Sequence, residues 1–258
     1  MDLVIITGAS SGIGAEYAKQ VCARFRPKLL WLIARREEKL VSVAHELTSL
    51  YGTNIKIFPL DLSKFESIKI IESELTSSSQ KVSLLINNAG MGKFGGIEEI
   101  SLEDHWKMIS LNVSAVIALS RICLPFMAPK GAIIQIASIA GLVAFPRFAT
   151  YAATKTFVIY WSKALQEELR FSSKKEIVIQ TVCPGPVESE FFEIASTYQK
   201  RKDKRFAPAQ NVVRLSLNQL EKRKSISIYG LPMNVFYWIY RWLPARITYW
   251  LLRLTNKT

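Results

Sequence analysis

Short apolar runs rich in β-branched residues alternate with longer segments of helical periodicity almost from one end of the chain to the other. That alternation is the pattern of a parallel sheet with helices on both of its faces. Strands are expected near 3–7, 28–34, 54–59, 82–87, 131–137, 176–182 and 225–229. Each of the first six is a near-continuous apolar run, as strands covered on both sides require, and each is followed by a candidate helix. The expected architecture is an α/β, doubly wound sheet of seven parallel strands.

In open sheets of this kind ligands sit outside the carboxyl ends of the strands, so the segments just after each strand are where chemistry is to be sought. After the first strand comes Thr7-Gly8-Ala9-Ser10-Ser11-Gly12-Ile13-Gly14. Glycines at 8, 12 and 14 between a strand and a helix turn the chain, let bare backbone approach a pyrophosphate and let the helix pack against the sheet. The helix N-terminus then offers unpaired N–H groups and positive dipole to phosphates. A glycine-rich turn alone is equally a structural turn.

The second strand ends in Arg35-Arg36, with no acid where an NAD enzyme places one on the adenosine ribose. Paired guanidiniums suit a 2′-phosphate, which favours NADP(H) over NAD. The alternative, a solvated helix start, is disfavoured because a first helical turn prefers acids.

Tyr151 and Lys155 stand four apart in a stretch of helical pattern, so both share one face. An ammonium beside a phenol favours the phenolate and draws its pKa down toward working pH, which makes Tyr151 a candidate general acid or base. Taken singly such a pair occurs on many helices by chance. Taken with the glycine turn, Asp61, Asn87-Asn88-Ala89-Gly90, Asn112, Ser138 and Pro184-Gly185, all in order, it makes the chain resemble the short-chain dehydrogenase/reductase family over roughly residues 3–230. Within that family it is similar to reductases of lipid-like substrates, including hydroxysteroid dehydrogenase relatives.

The resemblance implies a Rossmann-type fold and a role for each matched residue. Ser138 would hydrogen-bond the substrate carbonyl, Tyr151 would transfer the proton, Lys155 would bind the nicotinamide ribose and lower the tyrosine pKa, and Asn112 would hold a relay water. Gly8, Ser10, Ser11, Gly12, Ile13 and Gly14 would carry the phosphates, with Arg35 and Arg36 on the 2′-phosphate and Asp61 and Leu62 at the adenine. Asn88, Ala89 and Gly90 would line the cleft and brace the sheet; Pro184, Gly185 and Val187 would cover the nicotinamide. Ser189 stands where the family often has Thr, and its hydroxyl can make the same bonds to the carboxamide. A substrate lid is implied over about 187–207, and a homodimer or homotetramer is expected on resemblance alone.

Length supports a single catalytic domain, 1–230, with an extension of the same domain at 231–258. Most of the net charge of +13 sits in the last quarter: residues 199–258 hold 13 Lys and Arg against 2 Asp and Glu. Segment 233–258 reads as one or two short amphipathic helices rich in Trp, Tyr and Arg, interrupted by Arg241, Pro244 and Arg246, and too broken for the ~20 apolar residues of a membrane span. Two readings stay open for it, peripheral membrane contact and burial against protein. The cluster at 200–205 lacks interleaved aromatics, so no nucleic-acid partner is expected. The three scattered cysteines and the absence of an n-region at Met1 point to a reducing, cytoplasmic setting, and no metal site is expected. The expected function is an NADPH-dependent oxidoreductase acting on the carbonyl or alcohol of a hydrophobic substrate; a non-catalytic NADP-binding scaffold is the alternative, against which the filled catalytic positions argue.

Overall fold

Parallel neighbours cannot be joined by a tight turn, so each strand of this chain needs a crossover before its partner. The computed structural model describes residues 1–188, 206–230, 233–235 and 247. Strands β1 (Leu3–Thr7), β2 (Leu29–Ala34), β3 (Asn54–Pro59), β4 (Val82–Asn87), β5 (Met127–Ile136), β6 (Val178–Val182) and β7 (Ile226–Ser227) form one sheet in the order β3-β2-β1-β4-β5-β6-β7. Every neighbouring pair is parallel. The order reverses between β1 and β4, which opens a crevice at their carboxyl ends.

Alternate residues of β1 show why the fold has two apolar layers. Val4 and Ile6 face a cluster with Tyr17, Ala18 and Val21 of helix α1 (Gly12–Phe25), Leu40 and Leu47 of α2 (Glu37–Tyr51), and Val213 and Leu217 of α7 (Ala209–Glu221). Leu3 and Ile5 face the other side, with Ile71 and Leu75 of α3 (Phe65–Ser77) and Leu119 and Ile122 of α5 (Ala115–Cys123). A strand buried on both faces needs apolar side chains at every position, which is why its sequence shows no period of two. The first layer also holds a buried polar chain: the Tyr17 hydroxyl donates to Ser216 Oγ at 2.6 Å, and Ser216 Oγ donates to Gln180 Oε1 at 2.7 Å.

Two strands depart from the expected pattern. β3 is an edge strand with Asn54, Lys56 and Pro59 exposed, so it is not covered on both sides. An edge tolerates a proline, which has no N–H for the ladder, and an edge lysine discourages further pairing. β7, at the other edge, pairs over two residues only, shorter than the 225–229 expected.

Helix α4 (Leu102–Ile109), a π-helical turn at Ser110–Ser114, α5 and a short 3₁₀ segment run on as one helix, Leu102–Phe126. It is long and apolar enough to cross a membrane by length and composition, yet 44% of its most apolar window is buried in the protein. Its inner face accounts for part of that hydropathy through Met108, Leu111, Ala115, Leu119 and Ile122. Helix α6 (Ala149–Arg170) packs beside it.

The two ends of the expected lid are tied together. Val187 bridges Ala207, whose N–H donates to the Pro186 carbonyl at 2.8 Å, and the Glu188 N–H donates to the Ala207 carbonyl at 3.2 Å. Of the expected extension, Met233–Val235 is helical: Asn234 Nδ2 donates to the carbonyls of Ile228 and Gly230 at 3.0 and 2.9 Å, and Met233 packs against the buried cluster of Ala137, Val158, Cys183 and Ile228. The interior of the lid, including Ser189, and nearly all of the rest of the extension lie outside the described residues.

Candidate active site

The turn after β1 is built for close approach. Gly8 has φ +65°, and its N–H donates to the Ile33 carbonyl at 2.7 Å. A Cβ on Gly14 would lie 2.2 Å from the Gly8 carbonyl oxygen and 2.5 Å from Asn88 Nδ2, so only a bare Cα lets α1 begin so near the strand. Asn88 holds the same turn from β4: its Nδ2 donates to the carbonyls of Thr7 and Gly8 at 2.9 and 3.2 Å. Thr7 answers, its hydroxyl accepting the N–H groups of Asn88 and Ala89, each at 2.9 Å. The Asn88 amide is therefore a brace between strands. Ser11, the N-cap of α1, makes no side-chain cap bond, which leaves the first amides of the helix without a side-chain acceptor from that residue.

The two arginines after β2 take different places. Arg36 reaches back over the turn, its Nη2 donating to Ser10 Oγ at 3.1 Å and Ser11 Oγ at 3.0 Å. Arg35 faces Asp61 electrostatically. Burial alone would raise the Asp61 carboxyl, but hydrogen bonds from the Ser63 hydroxyl and N–H and the charges of Arg35 and Lys64 outweigh it and hold the group below its ordinary value. Leu62 beside it is buried in the second apolar layer. Exposed Arg36 at the N-cap of α2 is followed by Glu37 and Glu38, so the acids that complement the helix dipole come after the arginines.

Across the crevice, Ser138 ends the β5 segment and caps a 3₁₀ turn, its Oγ accepting the Ala140 N–H at 3.1 Å. Ser138 also hydrogen-bonds the Tyr151 hydroxyl. The Thr156 hydroxyl donates to the Gly141 carbonyl at 2.7 Å, which docks the serine turn onto α6. Lys155 lies one helical turn past Tyr151, as expected, but its Nζ donates to the Ile136 carbonyl at 2.8 Å and sits 5.8 Å from the Tyr151 ring centroid. Burial outweighs the pull expected of Lys155 on the phenol. Burial pushes Tyr151 up to about 12, against the Ser138 hydrogen bond, and pulls Lys155 down to about 8, against the field of Cys183. Enclosure penalises the charged form of both groups, and the lysine gives one of its three N–H donors to a backbone carbonyl.

Asn112 occupies the π-helical turn, fully buried. Its Nδ2 donates to the Met91 carbonyl at 2.8 Å and Thr154 Oγ1 at 3.0 Å, and its Oδ1 accepts the Met91 N–H at 2.9 Å. Both amide hydrogens are thus committed to protein oxygens. Gly90 leaves open the space next to Asn112 Oδ1 and Lys155 Nζ, which lie 3.2 and 3.3 Å from where its Cβ would be. Pro184 is buried and its carbonyl accepts the Ile139 N–H at 3.0 Å; Gly185 lies against Met233, and Val187 is buried.

The motif residues omit one wall of this site. Phe148 stacks on Tyr151, and Phe94 and Phe145 pack against Phe148. The only signal for it in sequence is three phenylalanines in loops after two different strands, and only the fold brings those loops together. Among the described residues, no group of three or more His, Cys, Asp or Glu could hold a metal ion.

A family model described as short chain dehydrogenase matches residues 2–200. Very-long-chain 3-oxoacyl-CoA reductase of Anas platyrhynchos is 31% identical over 261 residues, 98% of this chain and 79% of that protein. NADP-dependent 3-hydroxy acid dehydrogenase of Schizosaccharomyces pombe is 33% identical over 202 residues, 77% of this chain and 76% of that protein. Among solved structures, a short-chain dehydrogenase from Sphingobium yanoikuyae in complex with NADPH superposes with a TM-score of 0.82 at 30% identity, covering 90% of this chain and 89% of that one. The chain belongs to the short-chain dehydrogenase family and is an oxidoreductase of the CH–OH/C=O class.

Proposed function

We propose that this oxidoreductase uses NADP(H) to reduce the carbonyl of a hydrophobic, lipid-like substrate, with Tyr151 as proton donor. The observation that carries the reading is buried Tyr151 hydrogen-bonded to half-buried Ser138 and beside buried Lys155, at the carboxyl end of β5 and across the crevice from the glycine turn. NADP(H) supplies the hydride when bound. The chain fits it: Gly14 and Gly90 leave room that a side chain would fill, and the turn from Gly8 through Ser10, Ser11, Gly12 and Ile13 presents helix amides suited to a pyrophosphate. Arg36, gathered with Ser10 and Ser11, and Arg35 beside it would hold the 2′-phosphate, Asp61 and Leu62 the adenine, and Lys155 the ribose. Asn88 and Ala89 would line the cleft, and Pro184, Gly185, Val187 and Ser189 would cover the nicotinamide.

In reduction Ser138 donates to the carbonyl oxygen and orients it toward the Tyr151 hydroxyl. A phenol held up to about 12 keeps its proton at neutral pH, and an alkoxide is basic enough to take it. Lys155 then faces a phenolate, which its charge stabilises. A relay water at Asn112 would bind through the second lone pair of Oδ1 or the backbone carbonyl, since both Nδ2 hydrogens are engaged.

The aromatic wall beside Tyr151 and the long-chain acyl substrate in the name of the Anas relative support a lipid-like substrate. Leu102, Trp106, Ile109 and Ile117 leave an exposed apolar seam along one face of the α4–α5 helix, which supports a homodimer. Docking of Met233 on the site favours protein burial for the start of the extension, and its Trp- and Arg-rich remainder suits a membrane surface in the cytoplasm. Nucleic acid is not a proposed partner.

The test is NADPH oxidation against ketones ranging from diacetyl to long-chain 3-oxoacyl thioesters and steroids, with and without liposomes. Turnover should rise with chain length; activity confined to diacetyl would remove the lipid-like substrate. Changing Arg35 and Arg36 together to Ala should weaken NADPH by roughly 2–3 kcal/mol, the size of a lost set of charged hydrogen bonds, and leave NADH nearly unchanged. Equal losses for the two nucleotides would remove the 2′-phosphate assignment.

A further inference from the structure

No cap bond of its own fixes the ring of Phe148. It is the N-cap of α6, with no side-chain cap bond and an irregular backbone at φ −139°, ψ 24°. Yet it lies nearly flat on Tyr151, with centroids 4.3 Å apart and planes at 25°, and meets Phe94 at 5.8 Å and Phe145 at 6.2 Å. The residue before it explains the placement. Arg147 adopts φ +60°, a region that a side chain disfavours, and its carbonyl accepts the Gly95 N–H at 2.7 Å. Its guanidinium grips the Glu99 carboxylate with two bonds, 3.0 and 2.6 Å, and stands 5.7 Å from the Phe94 ring centre. Glu99 accepts the Gly96 N–H as well, at 3.0 Å. The loop after β4 is thereby clasped to the loop after β5 by backbone, charge and ring contacts at one place.

We propose that the Glu99–Arg147 clamp is a positioning device for the Tyr151 phenol: by joining the two loops it holds Phe148 against the Tyr151 ring, keeps the hydroxyl aimed at Ser138, and makes the Phe94–Phe148 wall one side of the carbonyl entrance. The inference rests on Tyr151 as proton donor. It also sets a preference. A ketone with a planar or bulky apolar group next to the carbonyl gains contact with the wall, whereas a small ketone passes it by. An ion pair with both partners half exposed is weak by itself, so the clamp's effect is smaller than that of the ring it holds.

The experiment uses the full chain with NADPH and two probes, benzil as the bulky diketone and diacetyl as the small one. Phe148→Leu should lower kcat/KM for benzil about tenfold and for diacetyl much less, the size expected for a lost aromatic pair. Opening the site to water should also move the alkaline ionisation of Tyr151 to lower pH, read as the ultraviolet phenolate signal that Tyr151→Phe removes. Phe148→Tyr should restore both. Arg147→Gln and Glu99→Gln should act in the same direction by about threefold, and exchanging the two charges should recover most of it. NADPH affinity should stay unchanged throughout. An unmoved phenol titration in Phe148→Leu overturns the proposal, and needs no substrate. If Tyr151→Phe is inactive while the Phe148 and Arg147 variants behave as wild type, the clamp alone fails; if Tyr151→Phe keeps its activity, the proton-donor reading beneath it fails.

Discussion

Tyr151→Phe is expected to bind NADPH as wild type does and to lose at least about a hundredfold in kcat, the lower end of what a positioned general acid contributes. Only the hydroxyl is removed, so the stack on Phe148 and the packing of α6 persist, and the loss reports the proton rather than the fold. Single-turnover reduction followed by nucleotide fluorescence separates the two effects. Retention of more than about a hundredth of the rate would show that another group or water delivers the proton. The wild-type pH profile carries a second check. In the free protein Lys155 sits near 8 and Tyr151 near 12, so the alkaline fall in kcat/KM for reduction should begin as the lysine loses its charge, well before the phenol ionises. A profile flat to pH 10 would mean that the lysine charge does not contribute.

Gly14→Ala is the substitution expected to damage the cofactor half most. Its new methyl would meet the Gly8 carbonyl oxygen at 2.2 Å and Asn88 Nδ2 at 2.5 Å, and neither is the free end of a flexible side chain. Either α1 retreats from the strand or the Asn88 brace opens. Forcing a group into such a contact costs roughly 1–3 kcal/mol of stability, and the displaced turn should weaken NADPH more than tenfold. Gly52→Ala is the control. Gly52 also has positive φ, +66°, but no atom lies within 4 Å of its would-be Cβ, so it should lose a little stability and no nucleotide affinity. Wild-type affinity in Gly14→Ala would remove the glycine turn from the cofactor site.

What the sequence revealed and what it withheld divide along a physical line. β1, β2 and β4 were legible because a strand covered on both faces writes a nearly unbroken apolar run. The glycine turn, Ser138 and the Tyr151–Lys155 pair were legible because their chemistry depends on spacing within one short segment. β3 misled, since an edge position is a property of the finished sheet and not of the strand. The direction of Lys155 was hidden for a similar reason: four residues place it on the face of Tyr151, but the Ile136 carbonyl that accepts its hydrogen bond arrives from β5. The aromatic wall and its clamp were invisible because Glu99 and Arg147 lie 48 residues apart in loops that nothing local relates.

The polar chain from Tyr17 through Ser216 to Gln180 bears on the order in which the protein assembles. Helix α1 turns a face toward Val213 and Leu217, which belong to a helix made nearly two hundred residues later. Until α7 emerges, Tyr17 has neither its hydroxyl acceptor nor its apolar cover, and the sheet lacks β7. Closure of the dinucleotide half therefore waits for α7, although its signature sequence is synthesised long before that helix. A nascent chain that stopped at residue 200, where the match to the family model ends, would carry Ser138, Tyr151 and Lys155 and still leave an apolar flank of α1 open to chaperones or to another unfinished chain.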